Sequence, residues 1–313
     1  MSGVKLEKIK PEDDGMRLNR WFLKYYPGLS LGRFQKLLRT KQIKVDGKRA
    51  DSSLKLCSGQ EIRIPPLDEE KAPSASSLLS PKDELFIRSL VIYKDENIIA
   101  LNKPSGLAVQ GGTNTTRHID GLLEGLRFEK EERPKLVHRI DKDTGGLLIL
   151  ARNRQWAEKL TLAFKEHSLQ KTYLALTAPA PQKPSGDIKA PLEKIGEKIQ
   201  ITPDGKKAHT TYKILDSAGE KFALISAEPL TGRTHQIRAH LEYIGAPIVG
   251  DNKYFTGDKR QKYTLLTDKL HLHAYKIDLS SLYKTKCILC APLPDWFIQD
   301  LNNIGIFFEG TEK

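Results

Sequence analysis

Residues 65–85, with the sequence PPLDEEKAPSASSLLSPKDEL, divide this chain into two parts of different character. The segment is rich in proline, serine and charged residues, a composition typical of a flexible linker and not of a packed element. We therefore predict a small domain over residues 15–64, a linker over 65–85 and a larger domain over 86–313. A length of 313 residues allows one large and one small domain, with ample sequence for a core.

The small domain is predicted to be basic, with two helices followed by short strands. Between Arg17 and Arg49 the chain has ten lysine and arginine residues and a single acid, Asp46. Apolar residues recur at helical spacing in RLNRWFLKYY and in LGRFQKLLRT, and Ser30 is the expected N-cap of the second helix. The Asp46-Gly47 pair in IKVDGKRA predicts a hairpin, and GQEIRIPP predicts a closing strand.

The larger domain alternates short strands with a few helices. Two strands around a turn are predicted in SLVIYKDENIIALNKPSG, another strand in KTYLALTA and a strand pair in AHTTYKILDSAGEKFALISAEPLTG. The stretches RQWAEKLTLAFKEH and RTHQIRAHLEYIG are predicted to be helices. Because several connections have hairpin length, we predict an α+β domain with a mixed, mostly antiparallel sheet.

The formal net charge of +12 favours a polyanionic partner, either a nucleic acid or an anionic membrane. No apolar run approaches the roughly 18–20 residues that span a bilayer, and the N-terminal stretch MSGVKLEKIKPEDDG lacks the apolar core of a signal peptide. The three cysteines provide no disulfide framework, which is consistent with a reducing compartment. We expect a soluble, cytoplasmic protein that does not bind membranes and that functions as a monomer.

A pair of cysteines near the C-terminus leaves two interpretations open. Cys287 and Cys290 form a C-x-x-C pair, which His271 and His273 would help to make a zinc site. The apolar, strand-like segment around the cysteines favours packing in the core instead, because buried free cysteines behave as small apolar residues. The sequence has no phosphate-loop or dinucleotide-binding fingerprint, so we expect neither a metal nor an organic cofactor.

A dense group of charges lies in HRIDKDTGG, residues 138–146, directly before the apolar run LLIL. Asp141 is flanked by His138, Arg139 and Lys142, and nearby cations favour its ionised form. An ionised carboxylate that is held in place can act as a nucleophile or as a base. A solvated turn before a strand would have the same composition, and for these residues taken alone it is the more common outcome.

A second charged cluster, LTGRTHQIRAHL, covers residues 230–241. A helix that begins near Thr234 would place Thr234 and Arg238 on one face, with Arg233 at the start of the helix. Arginines and histidines around a helix start suit a phosphate or a carboxylate. The alternative is an ordinary solvated surface helix.

Six motifs in this order resemble those of the RluA-type pseudouridine synthases: NKPSGLAVQ (102–110), HRIDKDTGGLLILAR (138–152), KTYLAL (171–176), TGRTHQIRAHL (231–241), GAPIVGD (245–251) and LHA (272–274). The basic part before them resembles the small RNA-binding domain shared with ribosomal small-subunit protein S-four. This domain order is typical of the bacterial RluC and RluD types, which modify large-subunit ribosomal RNA. Ile140 and Gly145 differ from the family's frequent leucine and serine, but neither change removes a reacting group.

The resemblance implies that the protein breaks the N-glycosidic bond of a uridine, turns the bound uracil and rejoins it through carbon five. Asp141 corresponds to the family's catalytic aspartate, which either attacks or deprotonates the sugar. Arg139 corresponds to the residue that enters the RNA where the target nucleotide flips out. Tyr173 corresponds to the aromatic residue that stacks on the uracil.

The resemblance also indicates the surroundings of Asp141. Arg238 is expected to be the basic partner that keeps Asp141 ionised, with Arg233 as the second candidate. Leu272 is expected to supply an apolar wall around the base, whereas Lys103 is expected to shape the domain and not to react. No metal, nucleotide or organic cofactor is implied.

The cations of the small domain are expected to bind RNA phosphates, which give affinity and positioning but little sequence information. The partner that the resemblance implies is large-subunit (23S) ribosomal RNA. The candidate RNA-binding residues are Arg17, Arg20, Arg33, Lys36, Arg39, Lys41 and Lys44. The competing function is that of a non-catalytic RNA-binding or ribosome-assembly factor that retains the fold. The presence of Asp141, Tyr173 and a basic partner favours an enzyme.

Overall fold

The computed structural model of the chain describes residues 4–26, 28–29, 31–67, 79–112, 115, 117–255 and 263–310. These residues group into two compact units, one within residues 1–79 together with Gly112 and the other within 80–111 and 115–313. The predicted N-cap Ser30 lies outside the described residues, as do residues 68–78 of the predicted linker. No helix of the described part of the chain is long and apolar enough to cross a membrane.

The first unit combines two helices with a four-stranded sheet, ordered β1-β4-β2-β3. Its elements are β1 (Lys5–Lys8), α1 (Leu18–Tyr25), α2 (Leu31–Arg39), β2 (Lys44–Val45), β3 (Lys48–Arg49) and β4 (Glu61–Ile64). One core joins the helices to the sheet, with Trp21, Phe22, Phe34 and Ile62 buried in it. The two predicted helices, the hairpin between β2 and β3 and the closing strand β4 are confirmed.

Strand β1 is missing from the prediction and lies before the predicted start of the small domain at residue 15. It pairs antiparallel with β4, with Lys5 opposite Ile64 and Lys8 opposite Glu61. Its sequence KLEK is mostly charged, and its side chains are mostly exposed because β1 forms an edge of the sheet. The sequence of this strand lacks the alternation of apolar and polar residues that would predict a strand. Its conformation therefore depends on the pairing with β4.

The predicted linker also extends too far toward the second domain. Helix α3 (Pro81–Ser89) begins inside the range 65–85. The Ser80 hydroxyl accepts a hydrogen bond from the Asp83 amide at 3.1 Å, and Pro81 occupies the first turn of the helix. Serine at the N-cap followed by proline is a favoured helix start, so these residues begin a helix although their composition is that of a loop.

The second unit is built on a sheet of ten strands. The strands of this unit are β5 (Val91–Lys94), β6 (Ile98–Lys103), β7 (Lys135–Leu136), β8 (Gly145–Ala151), β9 (Lys171–Thr177), β10 (Ser185–Ile188), β11 (Leu192–Ile195), β12 (Lys198–Ile201), β13 (Thr210–Ala218), β14 (Phe222–Pro229), β15 (Leu272–Asp278) and β16 (Ile288–Cys290). Besides α3, its helices are α4 (Ile119–Leu122), α5 (Arg154–Lys165), α6 (Gln236–Tyr243) and α7 (Asp295–Asn303).

The order of strands along the large sheet is β10-β13-β14-β9-β15-β8-β6-β5, with β7 paired to β8 and β16 paired to β15. Strands β11 and β12 form a separate pair. The pair β8 and β15 is parallel, and the other neighbouring strands of the described chain are antiparallel. The predicted α+β fold with a mixed, mostly antiparallel sheet is confirmed.

The parallel pair at the centre of the sheet brings distant segments together at the N-terminal ends of β8 and β15. Gly145, at the start of β8, is opposite His273, near the start of β15. On the other side of β15, Tyr173 of β9 is opposite Ala274. The loop that precedes β8 and contains Asp141 therefore lies at the same end of the sheet as the first residues of β15.

Gly146 allows the backbones of β8 and β15 to approach closely near the starts of the two strands. Its φ of +102° is in a region that favours glycine, and a Cβ atom at this position would lie 2.3 Å from the carbonyl oxygen of Ala274. A side chain at position 146 would therefore clash with the backbone of β15. Gly146 thus permits a tight entry from the charged loop into the buried strand β8.

The predicted core position of the cysteine pair is wrong for Cys290, which is exposed, while Cys287 is half-buried. The three-residue strand β16 pairs with β15, and its alternation leaves Cys290 on the exposed side. His271 is buried and has another partner, since its Nε2 atom lies 2.9 Å from Asp300 Oδ2. Within the described ranges, no group of three or more His, Cys, Asp or Glu side chains is placed to hold a metal ion.

Candidate active site

The loop before β8 and helix α6 bring a carboxylate close to a guanidinium. The Asp141 Oδ2 atom lies 3.6 Å from Arg238 Nη1 and 3.7 Å from His235 Nε2. The side chain of Asp141 is 29% exposed, whereas that of Arg238 is 5% exposed. A carboxylate that solvent can reach thus faces a buried cation, and the opposite charges of the two groups attract each other.

Arg238 is held in place by a second carboxylate, Asp251. Its Nε atom donates to Asp251 Oδ2 at 2.7 Å, and its Nη2 atom donates to Asp251 Oδ1 at 2.8 Å. The Asp251 side chain is fully buried, and its Oδ1 atom also accepts from the amides of Lys253 and Tyr254 at 3.0 and 3.1 Å. Two-point pairing fixes the plane of a guanidinium, so Asp251 sets where Arg238 Nη1 meets Asp141.

Helix α6 begins at Gln236, later than the predicted start near Thr234. His235 precedes the helix in the left-handed conformation, with a φ of 50°. The Gln236 side chain accepts from the Thr231 hydroxyl at 2.6 Å and donates to the His209 carbonyl oxygen at 2.9 Å, which secures the turn before the helix. Thr234 therefore lies outside the helix, and its predicted alignment with an arginine on one helix face is wrong.

Tyr173 and Leu272 line the same cleft as Asp141. Tyr173 is half-buried on β9, and Leu272 is buried at the start of β15. Burial, together with the negative charge of Asp141, raises the pKa of the Tyr173 phenol, so the ring is uncharged at neutral pH. An uncharged aromatic ring next to an apolar side chain suits the face of a planar base.

One cleft with a volume of about 850 Å³ is lined by all six residues predicted for the site, namely Asp141, Arg139, Tyr173, Arg238, Arg233 and Leu272. Among the described residues of its lining, Asp141 is the single carboxylate. The lysine and arginine residues of the lining are Arg139, Lys142, Lys165, Lys171, Arg233 and Arg238. This excess of positive charge fits a polyanion that extends beyond the cleft itself.

Arg139 and Arg233 line the cleft with exposed side chains. Arg139 Nη1 donates to Gln110 Oε1 at 3.1 Å, and Arg233 Nε donates to the Lys207 carbonyl oxygen at 3.3 Å. The guanidinium beside Asp141 is that of Arg238. The geometry thus supports the first choice of basic partner, while its role in the reaction stays a prediction.

His138 stabilises the fold next to the cleft. Its Nε2 atom accepts a hydrogen bond from the Ile149 amide of β8 at 2.8 Å, and its ring stacks on Phe164 with the centroids 4.0 Å apart. Burial, assisted by the charge of Lys171, lowers the pKa of His138 to about 3, so the ring is neutral. A neutral ring with its Nε2 engaged by the backbone is a structural group.

Lys103 shapes the loop that contains Asp141. The side chain is buried, and its Nζ atom donates to the carbonyl oxygens of Pro104, Leu107 and Lys142 at 2.9, 2.8 and 2.9 Å. The hydrogen bond from Lys103 to the Lys142 carbonyl oxygen connects the end of β6 to the residue that follows Asp141. The expectation that Lys103 is structural agrees with these contacts.

Three residues near Asp141 are not predicted: His235, Asp251 and Tyr254. Asp251 ends the motif GAPIVGD, and an acid after a glycine turn that follows an arginine-bearing helix is a signal that would have indicated it. His235 lies inside the motif TGRTHQIRAHL without a distinguishing spacing. Tyr254 has no local signal, because its hydroxyl contacts lie 19 and 55 residues away along the chain.

The sequence profile of a family described as RNA pseudouridylate synthase matches residues 97–243. Ribosomal large subunit pseudouridine synthase C of Rickettsia bellii is 40% identical over 294 residues, which cover 90% of this chain and 95% of that protein. The chain belongs to the RNA pseudouridylate synthase family. The predicted family and the predicted class of enzyme, an isomerase acting on RNA, are confirmed.

Further similarities place this pseudouridylate synthase among relatives of the same architecture. Ribosomal large subunit pseudouridine synthase C of Vibrio vulnificus is 34% identical over 285 residues, which cover 88% of each chain. The solved structure of human RNA Pseudouridylate Synthase Domain Containing 4 has a TM-score of 0.63 and 26% identity, and the match covers 73% of this chain and 99% of the human one. The matched 73% of this chain therefore shares the fold of that human protein.

Proposed function

We propose that this protein converts specific uridines of large-subunit ribosomal RNA into pseudouridine. The observation that carries the proposal is the Asp141 carboxylate, 3.6 Å from the buried Arg238, in one cleft with Tyr173 and Leu272. A reacting carboxylate, a ring that stacks on a base and an apolar wall are the groups that chemistry on a flipped uridine needs. The names of the two bacterial relatives support a ribosomal substrate.

Asp141 is the reacting group in this proposal. With Arg238 beside it, Asp141 attacks or deprotonates the sugar of the flipped uridine, whose N-glycosidic bond breaks. The free uracil then has to turn while it stays bound. Stacking on Tyr173, worth about 1–3 kcal/mol, permits this rotation because a π-face has no fixed in-plane partner. Carbon five of the uracil then bonds to the sugar as Asp141 is released from it or returns its proton. Carbon five loses its hydrogen and N1 gains one, so the product is an isomer of uridine.

Arg139 replaces the flipped nucleotide in the RNA stack. Its guanidinium is exposed and lines the cleft that contains Asp141. Extracting a base costs a few kcal/mol, and a planar, always charged group that stacks and donates hydrogen bonds offsets part of this cost.

The basic first unit supplies RNA affinity. Of its seven candidate RNA-binding residues, Arg33 and Lys44 are half-buried, and the other five are exposed: Arg17, Arg20, Lys36, Arg39 and Lys41. Exposed lysine and arginine side chains on and beside short helices can reach backbone phosphates. The first unit would thus position the RNA, while the cleft selects the uridine.

Replacing Lys36, Arg39 and Lys41 together by alanine should weaken RNA binding and reduce its dependence on salt. Each phosphate contact that is lost should reduce the slope of log affinity against log salt concentration by about 0.7–0.9. Fluorescence anisotropy over a salt series measures both quantities. The matched control replaces the exposed residues Lys194, Lys198 and Lys213 of the second unit, which should leave the slope unchanged. Equal slopes for the two triple variants would contradict an RNA-binding role of the first unit.

Incubation of the purified protein with unmodified large-subunit ribosomal RNA from the encoding organism tests the proposed reaction. We expect new pseudouridine at defined positions, detected by carbodiimide labelling and primer extension. Specific binding without conversion would instead support the non-catalytic ribosome-assembly factor. We also propose that the protein acts as a monomer in the cytoplasm, which light scattering of the purified protein and cell fractionation would test.

A further inference from the structure

The Tyr254 hydroxyl indicates which nitrogen of His235 bears the proton. Tyr254 is buried, and its oxygen accepts a hydrogen bond from the Ile199 amide at 3.0 Å. A phenol also has one proton to donate. Among the residues that the structure describes, the acceptor in reach of this proton is His235 Nδ1, at 2.8 Å. The hydroxyl therefore donates to Nδ1, which bears no proton itself.

The second ring nitrogen of His235 faces the reacting carboxylate. Burial lowers the pKa of His235, and the charges of Arg238 and Lys253 lower it further, whereas those of Asp141 and Asp251 raise it. The net shift of this pKa is downward, so the neutral ring predominates at neutral pH. A neutral imidazole whose Nδ1 accepts must bear its proton on Nε2. Nε2 lies 3.7 Å from Asp141 Oδ2, a separation longer than a hydrogen bond, and hydrogen bonds of reacting groups often shorten when the substrate binds.

Both groups that face Asp141 meet the same oxygen. Arg238 Nη1 lies 3.6 Å and His235 Nε2 lies 3.7 Å from Asp141 Oδ2. Asp251 secures both approaches, since it pairs with the Arg238 guanidinium and accepts from the Tyr254 amide. The left-handed backbone of His235, uncommon for a residue other than glycine, directs the ring into this position.

We propose that Tyr254 locks His235 in the Nε2-protonated tautomer, and that His235 is a positioning residue that holds Asp141 Oδ2 and so orients the carboxylate toward the sugar. This inference rests on the proposed role of Asp141. It assigns to His235 and Tyr254 a function in the reaction that depends on hydrogen-bond donors at specific atoms and not on the size of the side chains.

Two variants of His235 distinguish a role as a hydrogen-bond donor at the Nε2 position from a role in packing alone. The amide nitrogen of glutamine reaches about as far as Nε2, and that of asparagine about as far as Nδ1. We expect His235→Gln to retain most of the wild-type kcat and His235→Asn to lose about 10–100-fold in kcat, with little change in KM in either variant. Equal kcat values for the two variants, or losses confined to KM, would overturn the proposal. Urea unfolding shows whether both variants are folded.

The tautomer itself can be observed without RNA. In protein labelled with ¹⁵N-histidine, the His235 signals, assigned by their loss in His235→Gln, should show an unprotonated Nδ1 and a protonated Nε2. In Tyr254→Phe we expect a mixture of tautomers and a several-fold lower kcat. A proton on Nδ1 of the wild type would refute the proposal. Because this spectrum needs no activity, failure of the tautomer assignment is distinguishable from failure of the proposed reaction, which the wild-type conversion assay reports.

Discussion

Asp141→Asn should lower the rate of pseudouridine formation by at least about a thousandfold, because an amide neither attacks the sugar nor accepts its proton. Asparagine has nearly the shape of aspartate, so the cleft should keep its form and RNA affinity should be retained. Single-turnover conversion of large-subunit ribosomal RNA measures the rate, and fluorescence anisotropy measures the affinity.

The matched control for this variant is Asp143→Asn, on the same loop. The Asp143 side chain is exposed, and the carbonyl oxygen of this residue accepts a hydrogen bond from the Ser105 hydroxyl at 2.5 Å. We expect its conversion rate to stay close to that of the wild type. An Asp141→Asn variant that is as active as the Asp143→Asn variant would exclude Asp141 as the reacting group.

Arg238→Met should have the largest combined effect on stability and activity. It would leave the carboxylate of Asp251 buried without a counter-charge, which typically costs about 3–5 kcal/mol of unfolding free energy. It would also remove the cation 3.6 Å from Asp141 Oδ2, so conversion should fall even under conditions where the variant is folded. Urea unfolding measures the stability, and Arg233→Met, an exposed arginine in the segment before α6, should change it by less than about 0.5 kcal/mol.

A double variant separates the two roles of Arg238. In Arg238→Met with Asp251→Asn no uncompensated charge is buried, and the asparagine oxygen can still accept from the Lys253 and Tyr254 amides. Much of the lost stability should therefore return, while the conversion rate should stay low. Recovery of activity together with stability would show that Arg238 supports the fold alone and does not act on Asp141.

The residues that sequence reasoning located correctly are those whose signals are local. The spacing of the apolar residues in RLNRWFLKYY predicts a helix, and the Asp46-Gly47 pair predicts a hairpin. The motif around Asp141 leads directly into a core strand. In each case a few neighbouring residues determine the local conformation, so a short stretch of sequence contains the information.

The features that were missed depend on contacts between distant residues. The start of α6 is set by the Gln236 side chain, which reaches the His209 carbonyl oxygen 27 residues away. The partner of Arg238, Asp251, lies beyond the end of the helix, and β1 is a strand because it pairs with β4. The apolar neighbours of Cys290 along the chain suggest burial, but the position of β16 in the sheet leaves this side chain exposed. Such arrangements arise from the assembled fold.

The most direct test of the central claim is pseudouridine mapping of ribosomal RNA from cells with and without the gene. We predict that one or more pseudouridines of the large-subunit RNA disappear when the gene is deleted. They should return when the gene is supplied in its natural form, but not as Asp141→Asn. Identical maps from the two strains would contradict the account, because an enzyme of large-subunit ribosomal RNA cannot be lost without loss of its product.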